Sequence, residues 1–139
     1  MRILPTLLLA VLTVSLVACG RSDQINGRSN STAYRSVKII KERLPAEKRI
    51  EFEISFWTIR DANKDPDEFL SQVDGKNPDE IIALGREIYQ QRKNQGFKEY
   101  QNFGSWEDMI DQYGKERREQ DRTVKPDPRD KANDVLYKL

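Results

Sequence analysis

Apolar residues at helical spacing organise this chain after its first thirty positions. Over residues 31–44, Ala33, Tyr34, Val37, Ile40 and Leu44 fall on one side when each residue turns by about 100°, with Arg35, Lys38 and Glu42 opposite. This pattern predicts an amphipathic helix, with Asn30-Ser31-Thr32 as its capping region. Pro45 stops it, and the same proline suits the first turn of a following helix, where Glu47 is favourable near the N-terminus.

Residues 50–59 admit two readings. Ile50, Phe52, Ile54 and Phe56 alternate with Glu51, Glu53 and Ser55, which is a strand pattern. Wound as a helix, the same stretch carries two apolar stripes on opposite sides, Ile50/Ile54/Trp57 and Phe52/Phe56/Ile59, as a helix buried between others does. The helix start at Pro45-Ala46-Glu47 and the lack of a second clear strand favour the helix.

A polar turn over 61–66 leads to a short helix over 67–73 carrying Phe69, Leu70 and Val73, ended by Asp74-Gly75. Asn77-Pro78-Asp79-Glu80 is the clearest helix start in the chain: an N-cap, a proline at the first helical position and two acids in the first turn. Ile81, Ile82, Leu84, Ile88 and Tyr89 form the buried face of that helix, which runs to about Gln95 and stops at Gly96. Gly85 lies on that apolar side. A glycine inside a helix costs ~1 kcal/mol, so its position predicts a close crossing with another helix.

Phe97, Tyr100, Phe103 and Trp106 then recur at steps of three, which drift by about 60° per step and make no straight helical stripe. They read as a connector pinning its rings onto the core, with stacking of a sugar or peptide ligand as the alternative. Ser105-Trp106-Glu107-Asp108 resembles a capping box, and Trp106, Met109, Ile110 and Tyr113 give a narrow helical face. Beyond it come dense mixed charge over 115–122, a break at Pro126-Asp127-Pro128 and a polar end over 130–139. The expected fold is mainly α: a bundle of four to five helices over 31–113, with a charged, mobile tail over 114–139.

The first thirty residues are of another kind. Arg2, an apolar run over 3–17 and small residues before Cys19 have the three parts of an export signal. A transmembrane helix needs roughly 20 apolar residues. This run is shorter, carries Pro5, Thr6, Thr13 and Ser15, and gives way to Gly20-Arg21-Ser22-Asp23-Gln24. Leu16-Val17-Ala18-Cys19 resembles a bacterial lipobox. The resemblance implies a diacylglyceryl group on the Cys19 sulfur, cleavage after Ala18, acylation of the new amino group, and a membrane anchor at residue 19. Cys19 is the only cysteine, and in an oxidising compartment a lone thiol forms no internal disulfide. Gly20, rather than Asp, matches the pattern that in many Gram-negative bacteria directs lipoproteins to the outer membrane, here facing the periplasm. Residues 19–30 are polar and small apart from Ile25 and read as a lipidated flexible tether.

Removing 18 of the 139 residues leaves 121, enough for one domain. With Arg2 gone the balance is 23 basic to 23 acidic side chains, which argues against a nucleic-acid partner. The charge is uneven: residues 20–49 are predominantly basic and 61–80 predominantly acidic. A basic membrane-proximal end could rest on anionic headgroups, although such charges are commonly the solvated face of a helix.

The segment 33–89 resembles a family of small uncharacterised bacterial lipoproteins built on a domain of unknown function. The residues that carry this are the lipobox Cys19, Leu44-Pro45-Ala46-Glu47 and the stretch Asp74-Gly75-Lys76-Asn77-Pro78-Asp79-Glu80-Ile81-Ile82. The resemblance implies a small, mainly helical, envelope-tethered domain and brings no activity, cofactor or catalytic residue.

The chain contains no histidine, which removes serine-histidine and cysteine-histidine nucleophilic sites and the usual zinc ligand sets. No phosphate-cradling glycine loop is present. Carboxylates could act as acid and base in a hydrolase, but tuning one needs a larger buried frame than a core of roughly 80 residues readily supplies. The chain is therefore expected to be neither an enzyme nor a cofactor carrier. Asp61, Asn63, Asp65 and Asp67 stand at alternate positions between two predicted helices, as oxygen ligands do in an EF-hand loop. Pro66 then replaces the sharp-turn glycine and Gln72 the bidentate glutamate. The competing reading is a helix-ending turn with Asp67 capping the next helix. The expected function is a lipid-anchored, non-catalytic interaction module that binds another envelope protein or the cell wall through the first helix or the 97–106 connector. The alternative is a weak metal or small-ligand binder using the 61–67 loop.

Overall fold

A computed structural model describes residues 23–123 of the chain; residues 1–22, Cys19 among them, and residues 124–139 lie outside them. The described part is all helical, with no strand: α1 (Asn30–Arg43), α2 (Ala46–Ala62), α3 (Pro66–Val73), α4 (Pro78–Asn94), the single turn α5 (Lys98–Gln101) and α6 (Trp106–Thr123). The mainly α expectation holds. There are six helices rather than four to five, because part of the aromatic connector closes one helical turn.

Local chemistry sets most of the boundaries. Ser29, one residue earlier than expected, caps α1 in a reciprocal box with Thr32. Asn77 and Glu80 form the corresponding box at α4, with Pro78 at the first helical position. α4 ends before Gly96, whose φ of 82° is the left-handed conformation that glycine adopts most readily.

α2 is the central element, meeting α1, α3, α4 and α6, and its interface with α4 is the most extensive in the molecule. The helical reading of 50–59 is therefore correct, and both apolar stripes are used. Phe52, Phe56 and Ile59 are fully buried in the larger core, with Phe69, Val73 and Ile81 among their companions. The opposite stripe turns to a second cluster built from Tyr89, Tyr100, Trp106 and Met109, against which Ile54 packs. A cross-link spans the junction: Glu51 Oε1 accepts from Trp106 Nε1 at 2.8 Å and from Arg86 Nη2 at 2.7 Å.

Gly85 makes the close approach its position predicted. A Cβ placed there would lie 2.7 Å from the Ser55 Cβ and 2.8 Å from the Ser55 Cα, so α2 and α4 meet nearly backbone to backbone.

Three expectations need correction. Residues 23–29 of the supposed tether are packed on the domain, because Ile25 is buried and paired through its backbone with Gly75 and Lys76. The supposed tail from 114 onward begins as the last turns of α6, because Gly114 is buried beside Ile50 and Arg117 pairs with Glu53. Tyr34, expected on the buried side of α1, is 38% exposed and stacks on Trp57. No described helix is long and apolar enough to cross a membrane.

Candidate functional site

Between the second stripe of α2, the 97–105 connector and α6 lies an open groove of about 750 Å³. That volume is in the range of small-ligand and peptide pockets. Its character comes from rings. Trp57 on α2, Phe97 after Gly96 and Tyr113 on α6 are 48%, 41% and 44% exposed, and Tyr100 and Phe103 complete the lining.

Each ring is held from behind. Trp57 is stacked by Tyr34 at 5.7 Å and met edge-on by Phe56 at 5.7 Å. The Arg92 guanidinium lies 5.0 Å over the Phe97 ring and donates to the Asp61 carbonyl at 3.1 Å. Phe103 and Tyr113 meet at a tilt, their ring centroids 5.7 Å apart. Tyr100 packs edge-on against Tyr89 at 5.6 Å; burial pushes its hydroxyl pKa up, while the neighbouring Arg92 acts the other way. Lys93 fixes the connector by donating from Nζ to the carbonyls of Phe103 and, at 3.0 Å, Gly104. Gln101 Nε2 donates to the Lys93 carbonyl at 2.8 Å. The connector is thus preformed, which lowers the ordering cost of seating a ligand.

Glu53 sits in the groove wall, paired with Lys41 at 2.8 Å and with Arg117. Burial raises its carboxyl pKa, but the hydrogen bonds and charges of Arg117 and Lys41 outweigh that and hold it below the ordinary value. A carboxyl lowered in this way contributes stability above its unfolded pKa of about 4.3, and that contribution is lost as pH falls through the folded value. Glu53→Gln is therefore expected to flatten the acid limb of the melting-temperature profile below about pH 5. Parallel acid limbs in the two proteins would contradict the assignment.

The four residues singled out as calcium candidates do not converge. Asp61 lines the groove and pairs with Lys64 at 3.3 Å. Asn63 turns back to donate to the Ile59 carbonyl at 2.9 Å. Asp65, not Asp67, caps α3, accepting from the amides of Asp67 and Glu68 at 2.9 and 3.0 Å. Asp67 is exposed in the first turn of α3. Among the described residues no group of three or more histidine, cysteine, aspartate or glutamate side chains is placed to hold a metal ion. The lipidation candidate Cys19 lies outside the described residues.

The sequence singled out Phe97, Tyr100, Phe103 and Trp106, of which Trp106 is buried and does not line the groove, but missed Trp57, Tyr113 and Glu53 as part of it. The usable signal was the second apolar stripe of α2, which a helix in an ordinary two-layer packing does not need. Compared with protein-family models, with curated proteins and with solved structures, the chain finds no match in any of the three.

Proposed function

We propose that this chain is a lipid-anchored envelope protein whose helical domain is a non-catalytic docking module, and that its groove seats an apolar-bearing peptide segment of a neighbouring envelope protein. The anchor rests on the lipobox at Cys19, and the envelope location follows from it. Docking rests on one observation: Trp57, Phe97 and Tyr113 stay exposed around a single open groove, although each is held by packing or cation–π contacts from its own domain. Aromatic rings supply large, rigid contact area at low entropic cost and dominate binding energetics at interfaces. Glu99 and Glu116 line the groove together with Lys64 and Arg92, which suits a partner carrying both charges beside its apolar anchors.

Photo-crosslinking in intact bacterial membranes tests this. A photoreactive residue in place of Tyr113 is expected to give a discrete adduct, whereas one in place of Glu87, on the solvated side of α4, gives none. Adding Trp57→Ala should reduce the Tyr113 adduct at least tenfold while the helical content stays the same, since hot-spot truncations at interfaces cost about 2 kcal/mol or more. Equal labelling from both positions would remove the groove from consideration. An adduct with glycan in place of protein would move the assignment to the cell wall.

A further inference from the structure

The segment after the anchor is fastened to the domain. Ile25 donates its amide to the Lys76 carbonyl at 2.9 Å and accepts from the Gly75 amide at 2.8 Å, and its side chain is 2% exposed. Two residues on, the Gly27 amide donates to Asp74 Oδ1 at 2.7 Å. The fit there leaves no room for a side chain: a Cβ on Gly27 would lie 2.5 Å from the Asp74 Cβ and 2.8 Å from the Leu70 carbonyl oxygen. Asn26 adds bonds to α1, its amide donating to Ser36 Oγ at 3.0 Å and its carbonyl accepting from Thr32 Oγ1 at 2.9 Å. Five hydrogen bonds, the buried Ile25 side chain and the close fit at Gly27 therefore bind residues 25–27 to the turn between α3 and α4 and to α1.

We propose that residues 23–29 are a clamped strap that holds the helical domain against the phospholipid bilayer, with the turn at Asp74, Gly75 and Lys76 nearest the headgroups. The inference rests on the lipid anchor at Cys19. Only four peptide steps separate Cys19 from Asp23. Whatever path they take, they span at most about 14 Å, roughly half the diameter of a small domain. With the strap detached as far as Ser29, ten steps would reach about 35 Å. The clamp thus decides between a domain resting on the membrane and one ranging well clear of it. Charge does little to hold this face down: Arg28, Arg43 and Lys76 exceed Asp23 and Asp74 around the strap by a single positive charge, and Asp23 pairs with Arg43 at 3.2 Å. Placement by covalent reach predicts that the contact is insensitive to anionic lipid content and to salt, unlike a polybasic patch.

The chain from Cys19 onward can be coupled through that thiol to a maleimide phospholipid in phosphatidylcholine vesicles containing a dansyl lipid, with Trp57 and Trp106 as energy-transfer donors. Transfer should fall at least twofold when ten Gly/Ser residues are inserted after Gly20, and by a similar factor in Asp74→Ala combined with Ile25→Gly. It should stay unchanged when a third of the lipid is replaced by phosphatidylglycerol. The insertion leaves the clamp intact, so a folding defect in the double variant does not blur the result. Equal transfer from all three proteins would overturn the strap, and a strong rise with phosphatidylglycerol would replace it with electrostatic docking. The anchor is tested separately by the intact mass of the native chain and of Cys19→Ala from bacterial membranes. Missing acyl mass in the native chain would overturn the membrane placement, while the vesicle comparison still decides whether the strap is clamped.

Discussion

Replacing Phe56 by alanine is expected to lower the unfolding free energy by about 3–5 kcal/mol, the range for deleting a buried aromatic ring. Phe56 is fully buried, and three rings meet it edge-on: Tyr34 of α1 at 6.0 Å, Trp57 at 5.7 Å and Phe69 of α3 at 5.3 Å. The cavity would open where α1, α2 and α3 join, and rings held by separate helices cannot all move in to fill it. Against a typical domain stability of about 5–15 kcal/mol, the loss corresponds to a melting-temperature drop on the order of 15 °C or more. Urea titration checks it: the midpoint should fall with little change in slope. A loss under about 1 kcal/mol would mean that the three helices re-close around the gap, contrary to this packing.

Gly85→Ala is the second large effect, and the sign depends on which of two terms wins. Alanine gains ~1 kcal/mol over glycine in a helix interior, so at an open position it would stabilise. Here its Cβ would stand 2.7 Å from the Ser55 Cβ, 2.8 Å from the Ser55 Cα and 3.0 Å from the Ser55 Oγ. The Cα belongs to the backbone of a fully buried residue on the central helix and cannot rotate away. Overpacking of this kind costs about 1–3 kcal/mol, and more where backbones must part. A net destabilisation of about 2 kcal/mol or more is expected, with Gly85→Val worse. Ser55→Ala should not rescue it, because the offending Cβ remains. Ser55→Gly removes the Cβ and Oγ contacts but leaves the Cα at 2.8 Å, so it should recover only part of the loss, read as a favourable coupling in a double-mutant cycle. A more stable Gly85→Ala protein would refute the close crossing of α2 and α4.

Both effects concern α2, and α2 also divides what could be read in the chain from what could not. Its helical state was legible in residues 45–47 despite the alternation of 50–56, because a proline-led start and an acidic first turn act within a few residues. The same holds for Asn77 with Glu80 and for Gly96, whose roles depend on neighbours one turn away. Gly85 told more than its own conformation: a glycine on an apolar helix face has little reason to be there except a close neighbour.

The boundaries of the domain were less legible. Ile25 looked like an isolated apolar residue in a polar stretch, and nothing local marks it as buried. Its place is made by the Gly75 and Lys76 backbone some fifty positions away. The last turns of α6 looked like mixed charge of no structural consequence. Arg117 belongs to the domain because Glu53 waits for it beside Lys41, a pairing that composition does not reveal.

By itself, then, the sequence determined most helix starts and stops and the mainly helical class, because caps and periodicity are written within short windows. Tertiary structure alone decided which stripe of α2 became core and which became the wall of a groove. Trp57, Phe97 and Tyr113 meet there through the crossing of helices far apart in the chain, and the strap at Ile25 closes on a turn equally remote. Contacts of that range depend on how whole faces pack, and no short window of residues contains the other face.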